Sequence, residues 1–137
     1  MDDSSAFHHL SMPAYRVGEM ADFYRRVLNL RDVKVESGSG SPRETVVLEI
    51  GGGRELHLTR PVPSLLFDNG QFVNPILHGH TAFRVSSLDA VEARLAEMNI
   101  RYANYGDWAI PGCHQVFFHD PEGNVVEAHE IRSPSQK

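Results

Sequence analysis

The chain has a single cysteine, Cys113, so no intrachain disulfide can staple it and its stability must come from packing. No apolar run approaches the roughly 20 residues needed to cross a bilayer as a helix, which argues against a membrane protein of that kind. Blocks of like charge are also missing. Thirteen basic and 18 acidic side chains are interspersed and leave a formal charge of −5. That pattern offers no electrostatic footprint for nucleic acid or an anionic membrane, and a small-molecule partner is the expectation. The N-terminal MDDSSAF lacks the basic and apolar regions of a secretory signal. With the lone cysteine, this points to a cytoplasmic protein.

What is present is 41% hydrophobic residues over 137 positions, enough for one compact domain or two fused halves, and eight histidines. Histidine is the commonest metal ligand and the natural acid or base near neutral pH.

Periodicity divides the chain. His8 to Ala14 alternates as a strand does, and Val17, Met20, Tyr24 and Val27 recur at helical spacing on one face of a segment starting near Gly18. The SGSGS run at 37–41 reads as a turn, flanked by strand-like runs at Val33 to Val35 and Thr45 to Ile50. Gly51 to Gly53 makes another turn before a short strand at Arg54 to Thr59. Three prolines and an Asn69-Gly70 turn mark residues 61–77 as a linker. The plan then repeats. His80 to Val85 alternates, Leu88, Val91, Leu95 and Met98 make a helical stripe capped by Ser86, Ser87 or Asp89, and short strands lie near Tyr102, Val116 and Val125.

An offset of 71 residues lays His9 on His80 and keeps both helix stripes in phase; near the end of each half an offset of 70 lays His57 on Glu127. The chain is thus read as a single α+β domain over 1–137, built from βαβββ modules at 6–60 and 78–131. Their strands form a curved mixed sheet, a half-barrel around a cleft. Alternation puts His9 and Ser11 on the inner face, with His80, Ala82 and Arg84, then Glu55, His57 and Thr59, then Val125, Glu127 and His129. A carboxylate and several imidazoles converging inside a concave sheet are costly unless paired, and a divalent cation resolves that cost. Two histidines and one carboxylate suit Fe, Ni, Zn, Co or Mn and leave positions open for substrate.

The segments FHHLSM with DFYRRVLNL, GHTAFRVSSLDAVEARLAEMNI, and QVFFHDPEGNVVEAHE resemble the vicinal-oxygen-chelate superfamily of glyoxalases, bleomycin-resistance proteins and extradiol dioxygenases over about residues 7–131. The resemblance implies one divalent metal ion on His9, His80 and Glu127, with His57 as a candidate fourth ligand. It makes Glu127 the candidate catalytic base and a homodimer the expected assembly. It selects His9 over His8 as the ligand, and His8 is expected to face the helix or the dimer partner. The implied activity is that of a glyoxalase-like lyase or isomerase whose substrate chelates the metal through adjacent oxygens. Histidine at position 57, where glyoxalase I and related epimerases carry Glu or Gln, keeps an Fe(II) extradiol-type dioxygenase as an alternative. In that case His57, His114, His129 or Tyr105 would serve as acid or base beside the metal. A metal-free drug- or aromatic-binding module is the third reading. Arg84, Trp108 and His114 are candidate substrate contacts.

Overall fold

The computed structural model describes residues 5–35 and 44–132. The expected turn at 37–41 lies outside them. In chain order the elements are β1 (Ala6–Pro13), α1 (Val17–Leu28), β2 (Arg31–Asp32), β3 (Thr45–Gly51), β4 (Arg54–Thr59), α2 (Leu65–Asn69), β5 (His80–Arg84), α3 (Leu88–Glu97), β6 (Tyr102–Asp107), β7 (Cys113–His119) and β8 (Val125–Ile131). All eight strands join one open mixed sheet in the order β2-β3-β4-β1-β5-β8-β7-β6. That order is two four-stranded halves related by a pseudo-twofold axis between β1 and β5. Within each half the first strand pairs in parallel with the last, β1 with β4 and β5 with β8, and the halves meet antiparallel.

Each half buries one face of its sheet against its own helix. Under α1 the core is Ala14, Val17, Ala21, Leu48, Leu56 and Leu58; under α3 it is Leu88, Val91, Leu95, Val116 and Ala128. Each fully buried leucine here contributes roughly 1.5–3 kcal/mol relative to exposure, which fixes register as well as stability. The opposite faces of both half-sheets are left to line the cleft.

The helix stripes stop short of the sequence pattern. Val27, in the last turn of α1, and Met98, just past the end of α3, are exposed, while Ala21, outside the expected stripe, is fully buried. Asn29 ends α1 in the left-handed region (φ 55°), its N–H donating to the Tyr24 carbonyl. Of the three candidate caps of α3, Ser87 acts: its hydroxyl accepts from Ala90 N at 3.2 Å. Ser87→Ala is expected to cost about 1 kcal/mol in urea denaturation, without change at the cleft.

Two segments differ from expectation. The strand expected at Val33 to Val35 is instead β2 at Arg31–Asp32. Only the Val33 N–H still reaches the Val47 carbonyl, and Val33 and Val35 then leave the ladder to line the cleft. The stretch read as a plain linker contains the short helix α2, closed by Gly70 at φ 61°. It leads into a tight Asn74 turn, whose side-chain oxygen accepts from Ile76 N and Leu77 N. That turn fixes the Pro75 carbonyl, which the cleft uses.

Candidate metal centre

The inner faces of the two half-sheets enclose a cavity of about 460 Å³, a size suited to a small ligand. His9 on β1, His80 on β5 and Glu127 on β8 meet at its floor. His9 Nε2 lies 3.1 Å from His80 Nε2 and 3.5 Å from Glu127 Oε2, and His80 Nε2 lies 2.9 Å from the same oxygen. All three side chains are at least nine-tenths buried.

His80 supplies the test of whether a cation fits. Its Nδ1 lies 2.6 Å from the Pro75 carbonyl, which can only accept, so Nδ1 carries the hydrogen. Nε2, the other ring nitrogen, faces the Glu127 carboxylate oxygen at 2.9 Å. Two acceptors at hydrogen-bond distance need a positive centre, a proton or a metal, between them. An outer carbonyl that fixes the tautomer in this way is the usual support of a histidine ligand.

His57 lies beside this group without entering it. Its ring stacks on His9 with centroids 3.8 Å apart, and its Nε2 is engaged with Glu55 Oε2 at 2.7 Å. Among the described residues, the groups whose ligand atoms converge are His9-His80-Glu127, His8-His9-His129 and Cys113-Glu127-His129.

His8 departs from its expected direction. The β1–β5 register shifts between Phe7 and His9, and this bulge turns two consecutive side chains toward the cleft. His8 Nδ1 therefore sits 2.9 Å from His9 Nδ1, and its ring is 4.8 Å from that of His129. Arg84 stands at the mouth of the cleft with a guanidinium nitrogen 3.2 Å from His8 Nε2. Trp108 lines the cleft and also packs at 4.8 Å against Tyr105, so it is both wall and core.

His114 does not line the cleft. Cys113, Gln115 and Phe117 take the inner face of β7, so alternation sends His114 to the other side. Tyr105 donates its hydroxyl to the Val73 carbonyl at 2.8 Å, and burial pushes its pKa up to about 12, which removes it as an acid or base near neutrality. The residues that sequence reasoning passed over are Glu55, Cys113 and Gln115. Alternation along β4 already placed Glu55 on the face of His57, and the same rule along β7 finds the other two.

Burial lowers the His9 pKa to about 4, against the pull of Glu127 toward the charged form. For Glu127, burial alone would raise the pKa, but contacts from His129, His80 and His9 outweigh it and hold the carboxyl well below the usual range. Both shifts act in one direction. Below the ordinary histidine value the unfolded chain protonates His9 and the folded chain does not, so stability falls as pH drops from about 6.5 toward 4. Glu127 adds a further loss below the ordinary carboxylate range. Chelator-treated protein is expected to lose roughly 2–3 kcal/mol to His9 alone across that window. Urea denaturation at stepped pH should show a shallower loss for His9→Gln; parallel curves would rule the assignment out.

A family model described as the Glyoxalase/Bleomycin resistance protein/Dioxygenase superfamily matches residues 6–128. The chain is 31% identical over 126 residues to Glyoxylase I 4 of Arabidopsis thaliana, an alignment covering 90% of this chain and 69% of that protein. The chain belongs to the glyoxalase, bleomycin-resistance and dioxygenase superfamily. Its fold superposes on a hypothetical protein from Bacillus halodurans C-125 with a TM-score of 0.71 at 17% identity, covering 98% of this chain and 99% of that one. Against methylmalonyl-CoA epimerase from Mycobacterium tuberculosis the TM-score is 0.69 at 20% identity, with 95% and 89% covered. At such identities the structural likeness carries the fold alone.

Proposed function

We propose that this protein is a divalent-metal-dependent lyase or isomerase of glyoxalase type, acting on a small substrate that presents two adjacent oxygens to a cation on His9, His80 and Glu127. The observation that carries this reading is the convergence of His9 Nε2, His80 Nε2 and Glu127 Oε2, with the ring hydrogen of His80 committed to Pro75. A bound divalent ion would supply Lewis-acid polarisation of the substrate oxygens. The name of the relative at 31% identity, a glyoxylase I protein, supports lyase chemistry over ring cleavage.

Glu127 was the candidate base by resemblance, but its position suits a ligand better. It is 1% exposed, and both of its carboxylate oxygens are already engaged by imidazole nitrogens, Oε2 by His9 and His80 and Oε1 by His129. His57 is better placed to move a proton. Its ring stands on the cleft wall, and the Glu55 carboxylate 2.7 Å from Nε2 orients it. Glu55→Gln then acts through His57 and should lower turnover while leaving metal content unchanged.

The protein reads as a homodimer in the same proposal. Phe7, Leu10 and Phe83 lie on the outer face at the seam of the two halves, and Phe7 and Leu10 are exposed there. Light scattering should give twice 15.3 kDa.

Elemental analysis of untagged protein, beside His80→Ala, tests the reading. Nickel, zinc, cobalt or manganese of which the variant loses one equivalent supports it. Iron, with oxygen uptake on catechols, would move the assignment to the dioxygenase. No metal after reconstitution would leave a cleft that binds ligands directly, unaffected by chelators.

A further inference from the structure

We propose a second cation position beside the first, formed by Cys113 Sγ, His129 Nδ1 and Glu127 Oε1, so that the Glu127 carboxylate bridges two ions. The proposal deepens the metal reading above and shares only Glu127 with it.

The two carboxylate oxygens of Glu127 face different partners. Oε2 points to His9 and His80, at 3.5 and 2.9 Å. Oε1 lies 3.0 Å from His129 Nδ1 and accepts from Gln115 Nε2 at 3.2 Å. The ligand atoms of Cys113, Glu127 and His129 lie within 4.8 Å of one another, and all three residues are buried. An ion at the usual 2.0–2.3 Å from sulfur, nitrogen and oxygen holds its ligand atoms roughly 3–4 Å apart, so small side-chain rotations close the set.

Among the described residues, two buried atoms here lack a hydrogen-bond partner, and they point to a ligand. His129, 2% exposed, meets Glu127 Oε1 from Nδ1 at 3.0 Å as a charge contact that does not satisfy hydrogen-bond geometry. Gln115, 5% exposed, leaves Oε1 unbonded at the same spot. Protein interiors rarely leave such atoms orphaned without an ion or water to satisfy them. His129 Nδ1 becomes the nitrogen donor, and Gln115 Oε1 either completes the shell or holds a water that does.

The donor set selects the ion. A thiolate with an imidazole and a carboxylate favours zinc or cobalt over magnesium, calcium or manganese. Binding breaks the S–H bond of Cys113, forms an S–metal bond and releases one proton to solvent, with no change of oxidation state. Two ions bridged by one carboxylate would place a second positive centre beside the substrate oxygens, as in two-metal hydrolytic sites.

Cobalt(II) titration of metal-stripped wild-type protein, followed by absorption and equilibrium dialysis, tests this directly. Cys113 is the chain's only cysteine, so a near-ultraviolet thiolate-to-cobalt band can come from nowhere else. The expected result is two equivalents and that band; Cys113→Ser should lose the band and one equivalent, and His80→Ala the other. One equivalent with the band would uphold the Cys113 position and overturn the His9-His80 one. One equivalent without the band overturns the second position and spares the first, and no uptake at all overturns both. The wild-type band decides the matter even if a variant fails to fold.

Discussion

Glu127→Gln is expected to keep the fold and lose the metal. Glutamine matches glutamate in shape and can still meet Gln115, but it removes the one negative charge that two buried imidazole nitrogens face within 3.5 Å. Disturbing a partner that merely supports a ligand costs 10–100-fold in metal affinity, so loss of the anionic ligand itself should cost at least about 100-fold. Competition against a chromophoric chelator measures it. The metal-free variant should be less stable than metal-free wild type at neutral pH, because the contacts from His129, His80 and His9 that hold the carboxyl below its usual range outweigh its desolvation and glutamine gives up their charge component. A variant that binds metal normally would show that Glu127 is a pocket residue and that other groups hold the ion. If both cation positions exist, the same substitution weakens both, which Cys113→Ser does not.

Much of this arrangement was legible from the repeat. Pairing His9 with His80 by offset, and reading alternate residues along four short strands, brought the triad, His57 and Arg84 to one cleft before any coordinates. Period-2 alternation is a property of the backbone, so it holds wherever a strand is regular. The readings failed where the backbone was not regular. His8 was sent to the wrong face because one bulge residue between Phe7 and His9 reverses the parity, and nothing in FHHL announces it. Val27 and Met98 fit their helical stripes yet are exposed, since a stripe carries no record of where its neighbour ends. The pairing of His57 with Glu55 was within reach. Both lie on one face of β4 two residues apart, so strand alternation alone sets the carboxylate beside the ring. Offset analysis assigns equivalent places, but contacts decide equivalent roles.

Gly79→Ala should be among the most damaging single changes in the chain. Gly79 has φ +84°, a conformation that costs a residue with a Cβ of the order of 1–3 kcal/mol. A Cβ there would also stand 2.3 Å from the Ser11 carbonyl oxygen and 3.3 Å from Pro13 Cδ. The first of these is backbone in a paired strand and cannot swing aside. Relief must come from separating β1 and β5, which meet at Ser11 and His80 on the seam between the half-sheets. Strain and seam opening together put the expected loss at about 3 kcal/mol or more in urea denaturation. The control is Gly18→Ala in α1, where nothing lies within 4 Å and alanine should be neutral or stabilising by about 0.5–1 kcal/mol. The residue after Gly79 is His80, so any seam opening that lets the variant fold also shifts this ligand away from Glu127. Ligand geometry tolerates only about 0.5 Å, so the folded fraction of Gly79→Ala should bind metal more weakly than its stability alone predicts. Undiminished metal affinity in that fraction would mean that β5 relaxes elsewhere and that the seam does not set the position of His80.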